Sequence, residues 1–343
     1  MDGSLALIAR GSAVKPPAFW TPKDGKRDLR GAVLSPLGWI YNYFVARRIK
    51  TTVPFDPHIP VICVGNATLG GTGKTPVAIY LLKSLRRLGI EAVGLTRGYG
   101  GTEKGPVVVH KKHSAADIGD EPLLLARHAP VWVSAARDDG ARTAAAYGAH
   151  VVVMDDGHQN PLVKKTLSLL VVDAETGFGN GCVFPAGPLR ENLDAALSRT
   201  DAVILMKPAP DYVISEKLSE QLSGQIVIPA YLAPVAPPPK GKLFAFAGIG
   251  RPEKFFNALK VHGAELIDSV SYADHYKYKD ADIEGLFMLA AEYQAGLITT
   301  EKDYVRLPKG YRRGVTPWPV TAVFEDELTL RRLLHPIVQN YRI

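Results

Sequence analysis

The stretch from Pro60 to Tyr80, PVICVGNATLGGTGKTPVAIY, restricts this chain more than any other. Val61, Ile62, Cys63 and Val64 form a short apolar run rich in β-branched residues, which reads as a buried strand. A glycine-rich turn follows, and after Pro76 the apolar residues of Val77 to Arg87 recur at helical spacing. In that order of strand, loop and helix, GGTGKT becomes a phosphate cradle. Gly70, Gly71 and Gly73 let backbone N–H groups turn inward around phosphate oxygens, and Thr72 lies among them. The helix N-terminus adds unpaired donors and partial positive charge. Lys74 is placed to reach the β- and γ-phosphates, and Thr75 to offer a hydroxyl to Mg²⁺.

The common form of this loop has glycine five positions before Gly73, where this chain has Thr68. The loop therefore resembles the GG-x-GKT variant of nucleotide-binding proteins. Further along, His150 to Met154 is an apolar run ending in Asp155-Asp156, a strand that delivers carboxylates beside a phosphate loop, where one of them can hold Mg²⁺. The spacing does not choose between the two. His158 and Gln159 follow on a turn expected to face the same edge.

Around this centre, apolar runs at Ala92 to Leu95, Val107 to Val109, Val131 to Val133, Val151 to Met154, Leu169 to Val172 and Val203 to Met206 alternate with helical or loop segments. Continuous apolar strands of this kind belong to parallel sheets covered on both faces. Residues 55–228 are expected to be a doubly wound, mostly parallel α/β nucleotide-binding domain, with ligands at the carboxyl ends of its strands. Residues 229–240, PAYLAPVAPPPK, are too proline-rich for a helix or a central strand and read as a hinge. Residues 241–343 then form a smaller α/β domain whose last helix returns to the first.

Residues 1–54 carry a Pro- and Lys-rich segment read as an extended strap, then a helix from Ser35 with Pro36 in its first turn. Leu37, Ile40, Tyr41, Phe44 and Val45 fall on one helical face, with Trp39 nearby and Arg47, Arg48 and Lys50 at the end. Two readings stand side by side: an amphipathic helix on a membrane surface, or one docked on its own domain. No apolar stretch is long enough to span a bilayer, and no secretory signal is apparent. The net charge of +7 suits an anionic partner without naming one. Two cysteines, Cys63 and Cys182, make no disulfide framework and point to a reducing compartment.

Other polar residues have ordinary readings beside their chemical ones. Asp120 in Gly119-Asp120-Glu121-Pro122 reads in isolation as a helix N-cap, and alternatively as a carboxylate that accepts a hydroxyl proton. Asp274-His275-Tyr276 reads as a surface turn. Arg97, after a strand end, and Arg190, beside Glu191, could each clamp phosphate or simply face solvent.

Taken in order, GNATLGGTGKTP, TRGYGG, GDEP, DDGHQN, FPAGPLRE, FAGIGRPEKFF, DHYKY and TTEKDYVR resemble the tetraacyldisaccharide 4′-kinases of lipid A biosynthesis, over nearly the whole chain. Thr68 belongs to that pattern. Tyr276 departs from it, because the family commonly has a second histidine there. The resemblance implies ATP- and Mg²⁺-dependent phosphorylation of the 4′-hydroxyl of tetraacyldisaccharide 1-phosphate, giving lipid IVA. It implies a monotopic enzyme on the cytoplasmic face of the bacterial inner membrane, with residues 33–50 as the interfacial helix; the chain is further expected to be a monomer without a nucleic-acid partner. It assigns the base to Asp120 and its histidine partner to His275, brought together by closure of the two domains. It also gives phosphate and metal binding to Lys74, Thr75, Asp155 and Asp156, and lines the cleft with Gln159, Arg190, Glu191 and Arg97. The competing readings are a membrane-associated nucleotide-switch ATPase of the GG-x-GKT type and a basic membrane-surface scaffold.

Overall fold

The computed structural model describes residues 17–21, 28–339 and 341. Its chain divides into two compact units, one from the described residues 17–233 and 321–341, the other from residues 234–320.

The first unit runs α1 (Leu29–Thr51), β1 (Val61–Gly65), α2 (Lys74–Arg87), β2 (Ala92–Thr96), β3 (Val107–Val108), α3 (Ala115–Ile118), α4 (Asp120–Leu125), β4 (Val131–Val133), α5 (Arg137–Ala146), β5 (Val151–Asp155), β6 (Leu167–Asp173), α6 (Leu193–Leu197), β7 (Ala202–Lys207), α7 (Glu216–Gln221) and β8 (Val227–Pro234). The second unit holds β9 (Lys242–Ala247), α8 (Pro252–Val261), β10 (Glu265–Ser271), α9 (Asp280–Glu292), β11 (Gly296–Thr300), α10 (Glu301–Tyr304) and β12 (Val315–Trp318). Thereafter β13 (Val320–Phe324) and α11 (Glu327–Gln339) belong to the first unit.

Among the described residues the first unit carries a nine-stranded sheet in the order β13-β8-β7-β6-β1-β5-β2-β4-β3. The ladders β1 makes with β5 and β6 are parallel, as are those of β2 with β4 and β5, β6 with β7, and β7 with β8, whereas β3 runs antiparallel to β4. Alternation along β1 explains why its sequence is unbroken apolar. Ile62 and Val64 enter one core with Val77, Leu81 and Leu85 of α2 and Leu330, Leu334 and Ile337 of α11, while Val61 and Cys63 enter another with Ala141 and Ala144 of α5. The second unit is a four-stranded parallel sheet, β10-β9-β11-β12, with separate cores on its two faces.

Three expectations change. Residues 229–234 continue β8, a strand with neighbours on both sides, although their prolines argued against one. The Pro229 carbonyl accepts from the Glu325 N–H at 2.9 Å, on the β13 side. A strand residue points its C=O and its nitrogen to the same side, so the donor that Pro229 lacks would have faced β13 and the ladder to β7 keeps its bonds.

The first helix begins at Leu29 instead of Ser35, so Pro36 lies in its interior. Asp28 caps it by accepting from the Arg30 N–H at 2.8 Å. Within it the Ser35 hydroxyl bonds the Gly31 carbonyl at 2.8 Å. Finally, the Pro- and Lys-rich segment is only partly described. Ala18–Trp20 is a single 3₁₀ turn with Trp20 buried, its indole N–H donating to the Pro185 carbonyl at 3.1 Å. The expected strap over residues 1–16 and 22–27 lies outside the described residues.

Helix α1 docks by its small residues. Gly31 and Gly38 are buried, and a Cβ on Gly38 would stand 2.8 Å from the Val183 carbonyl oxygen. Asn42 accepts the Asn192 N–H at 2.7 Å. Its large apolar residues, Leu29, Val33, Leu37, Trp39, Ile40, Tyr41, Tyr43 and Phe44, are exposed. Among the described residues no helix is long and apolar enough to cross a membrane.

Candidate active site

Because β1 and β5 are paired neighbours, with Val64 beside Asp155, the loop leaving one strand meets the carboxylates leaving the other. Gly73, at φ +89°, is the N-cap of α2 and offers no side chain to its first donors, so those N–H groups stay directed at the loop's concavity. Gly70 also has positive φ, at +112°. Thr72 is buried, and its hydroxyl has no hydrogen-bond partner among the described residues.

Thr68 makes an antiparallel bridge to Leu189, with Leu69 N–H on the Pro188 carbonyl and Arg190 N–H on the Ala67 carbonyl, both at 2.8 Å. Its φ is not among the positive values, so this loop needs no glycine there. The Asn66 amide then holds the turn by donating to the carbonyls of Thr68 at 2.6 Å and Gly70 at 3.3 Å.

At the strand ends, the Thr75 hydroxyl donates to Asp155 Oδ2 at 3.2 Å. Asp155 is fully buried, and its Oδ1 has no hydrogen-bond partner among the described residues. Burial, with the nearby charge of Glu121 adding to it, pushes the Asp155 pKa up to about 7. Asp156 differs. Burial works to raise its pKa too, but Lys74, with Nζ at 3.5 Å, and Arg190, with NH1 at 3.0 and 3.1 Å from its two oxygens, hold it below the usual carboxylate range. Arg190 also donates through Nε to the Thr68 carbonyl at 3.2 Å, tying phosphate loop and carboxylate together.

Beneath this layer Gln159 donates to the Asn66 carbonyl and to Glu191 Oε1, each at 3.0 Å, and Arg199 closes on Glu191 Oε2 at 2.5 Å. Glu191 is thus a buried, fully engaged carboxylate. The expectation that His158 faces the same edge is not met. Its side chain packs beneath β1, where a Cβ on Gly65 would lie 2.5 Å from the His158 Cβ, and its Nε2 donates to the Ala196 carbonyl at 3.1 Å. Burial lowers its pKa to about 3, so the ring stays neutral.

Asp120 is not a helix N-cap: Gly119 occupies that position and Asp120 is the first residue of α4, buried, with its Oδ1 accepting the Glu121 N–H at 3.0 Å. The GDEP turn is held by the TRGYGG loop, since a Cβ on Gly119 would stand 2.4 Å from the Tyr99 carbonyl oxygen. Arg97 is exposed. His275 belongs to the other compact unit, on a turn after β10 with φ +57°.

Two residues escaped sequence reasoning. Glu121 acts on Asp155 through charge, a link its own motif hid behind Asp120. Arg137 is buried with Nε lacking a partner among the described residues, and burial presses its pKa down to about 10, leaving it charged at neutral pH. Asp155, Asp156 and Arg97 all act on it electrostatically. The signal was positional: Arg137 follows β4, three strands from β1 in the sheet order β1-β5-β2-β4.

Chemically, the arrangement is a backbone cradle with cations on one side and a hydroxyl and carboxylate on the other. Among the described residues no three His, Cys, Asp or Glu side chains converge as a metal cage. Thr75 with Asp155 supplies hard oxygen donors, the kind of partial set that suits Mg²⁺, which keeps waters and phosphate oxygens in its shell.

Comparisons with known proteins follow this geometry. The family model for tetraacyldisaccharide-1-P 4′-kinase matches residues 30–339. A tetraacyldisaccharide 4′-kinase of Caulobacter sp. (strain K31) is 51% identical over 94% of this chain and 98% of its own length, and one of Maricaulis maris is 47% identical over 95% and 97%. The crystal structure of LpxK from Aquifex aeolicus in complex with ATP superposes with a TM-score of 0.73 at 26% identity, covering 91% of this chain and all of that one. With a phosphate loop, its paired carboxylates and near-complete coverage all in agreement, the chain belongs to the tetraacyldisaccharide-1-P 4′-kinase family.

Proposed function

We propose that this protein transfers the γ-phosphoryl group of ATP to the 4′-hydroxyl of tetraacyldisaccharide 1-phosphate, forming lipid IVA. The observation that carries this reading is the contact of Thr75 with Asp155 across the paired ends of β1 and β5, beside a phosphate loop tied to Asp156 by Lys74 and Arg190. When bound, Mg²⁺ would be held by Thr75 and Asp155, with Asp156 behind them, and would neutralise charge on the phosphates.

The chain's own residues do the rest. Loop N–H groups and Lys74 bind and orient the phosphates, and Arg190 keeps Asp156 ionised and in place. Asp120 takes the proton of the acceptor hydroxyl, and His275 supports that transfer. Arg97 shapes the acceptor side of the cleft, and Gln159 with Glu191 supports the cleft from beneath through the Asn66 carbonyl and Arg199. The exposed apolar residues of α1, with Arg47, Arg48 and Lys50 at its end, meet the anionic surface of the bilayer that supplies the acceptor, on the cytoplasmic side.

The test is incubation of the protein with γ-labelled ATP and the disaccharide 1-phosphate, followed by locating the label. Label at the 4′ position, with ATP consumed only when acceptor is present, is expected. Acceptor-independent hydrolysis without labelled lipid would favour a nucleotide-switch ATPase instead. Asp120→Asn should lower kcat by about 10²- to 10⁴-fold while ATP binding stays within about twofold, the signature of a lost proton-transfer group.

A further inference from the structure

The motif TTEKDYVR lies in the second unit and has no part in nucleotide binding as described above. It follows β11, and the parallel β10-β9-β11-β12 sheet gathers its loops at the carboxyl ends of the strands: Gly248–Gly250 after β9, Ala273–His275 after β10, and Glu301–Asp303 after β11.

Asp303 is the anchor. Wholly buried, it accepts the Gly248 N–H at 2.9 Å, the Tyr278 hydroxyl at 2.8 Å and Arg306 NH1 at 3.0 Å through Oδ1, and the Thr300 hydroxyl at 2.6 Å through Oδ2. Gly248 packs closely here: a Cβ there would lie 3.0–3.1 Å from the Ala273 carbonyl, Asp303 Oδ1 and the Tyr278 hydroxyl, tighter than ordinary side-chain contact. The Gly248 carbonyl in turn accepts the His275 N–H at 3.2 Å, and the Asp274 carboxylate accepts it too at 3.0 Å. One carboxylate therefore fixes both the loop that holds His275 and the short helix that carries Lys302. These bonds sustain the left-handed backbone of His275, a conformation that costs a non-glycine residue energy.

Into this frame Lys302 brings its ammonium to 3.2 Å from His275 Nε2. An ammonium has three donors and no lone pair, so Nε2 must be the acceptor and the proton of the neutral ring must sit on Nδ1. Asp274 Oδ1 lies 3.9 Å from Nε2, beyond hydrogen-bond reach.

We propose that Lys302 is a positioning residue that fixes His275 as the Nδ1–H tautomer, so that the imidazole acts in this protein as a hydrogen-bond donor through Nδ1 and not as a proton acceptor through Nε2. This rests on the reading above that His275 takes part in the transfer, and it sharpens what His275 does: it orients and stabilises an anionic oxygen while another group, a carboxylate, takes the proton. Which nitrogen carries the hydrogen is set by the partner of the other nitrogen, as in other histidine sites tuned by a neighbour.

The test uses the full chain labelled with ¹⁵N-histidine, with His275 assigned among the nine histidines by its loss in His275→Gln. Long-range ¹⁵N–¹H correlation should show Nδ1–H in the wild type, a shift toward Nε2–H in Lys302→Met, and retention of Nδ1–H in Lys302→Arg, whose side chain is also donor-only. In steady-state assays Lys302→Met should lower kcat at least about tenfold with the KM for ATP within about twofold, and Lys302→Arg should restore part of the loss. Melting temperatures of both variants separate a tautomer effect from unfolding, and should Lys302→Met fail to fold, the wild-type and Lys302→Arg spectra still decide. An Nε2–H signal in the wild type, or an unchanged tautomer in folded Lys302→Met, overturns the proposal. Full turnover in His275→Gln would instead remove His275 from the reaction while leaving the tautomer measurement to judge Lys302.

Discussion

At the scale of single residues, the two adjacent carboxylates divide labour because their surroundings differ. Asp156 has cations on two sides and remains ionised, whereas Asp155 is buried beside Thr75 with Glu121 opposing its charge. The consequence for stability has a definite sign. A carboxyl whose folded pKa lies above its unfolded value supports folding fully only below the unfolded value of 3.8, and that support is lost as pH rises through about 7. The upper limit is on the order of 4 kcal/mol. Asp155→Asn is therefore expected to melt higher than the wild type at about pH 8, the gap closing as pH falls toward 3.8, and to lose nearly all turnover. Calorimetry across pH with a parallel kinase assay checks both halves, and a lower melting temperature at alkaline pH would refute the argument. Added Mg²⁺ with ATP should narrow the difference by stabilising the ionised wild-type carboxylate.

At the scale of elements, α1 reverses the usual arrangement of a surface helix. Small residues face the domain and large ones face outward, because Gly38 lets its backbone approach the Val183 carbonyl more closely than a Cβ would permit, with Gly31 buried on the same side. Two substitutions should therefore separate docking from membrane contact. Gly38→Val places atoms against the Val183 carbonyl and should lower thermal stability. Replacing Trp39 and Ile40 by serine should leave the melting temperature unchanged while reducing sedimentation with vesicles containing anionic lipid by about tenfold or more, given ~1.5–3 kcal/mol for each large apolar side chain removed from water. Vesicle binding that survives the double substitution would place the contact elsewhere. The helix's aromatic and apolar content was legible from the sequence; the side on which the helix docks was not, since glycine spacing acquires meaning only against the partner surface.

At the scale of the whole molecule, two units with separate hydrophobic cores should respond separately to substitution. Gly248→Val drives a branched side chain into Asp303 and Tyr278 and should lower the transition of the 234–320 unit, at a cost of about 1–3 kcal/mol, while leaving nucleotide binding by the other unit within about twofold. Calorimetry with and without ATP resolves this, because ligand raises only the transition of the unit that binds it.

The sequence by itself determined the alternation of strand and helix, the phosphate loop, the carboxylates at a strand end and the family, because each is written in local order: β-branched runs, glycines before a Lys-Thr pair, motifs in series. Only the tertiary structure decided that Thr68 bridges Leu189, that the prolines of residues 229–234 fit a strand, that His158 packs beneath β1 while Arg137 is buried close to the carboxylates, and that Lys302 meets His275. These are contacts between residues distant along the chain or orientations set by a neighbour's backbone, and a one-dimensional pattern records which groups exist, not which ones burial leaves facing each other.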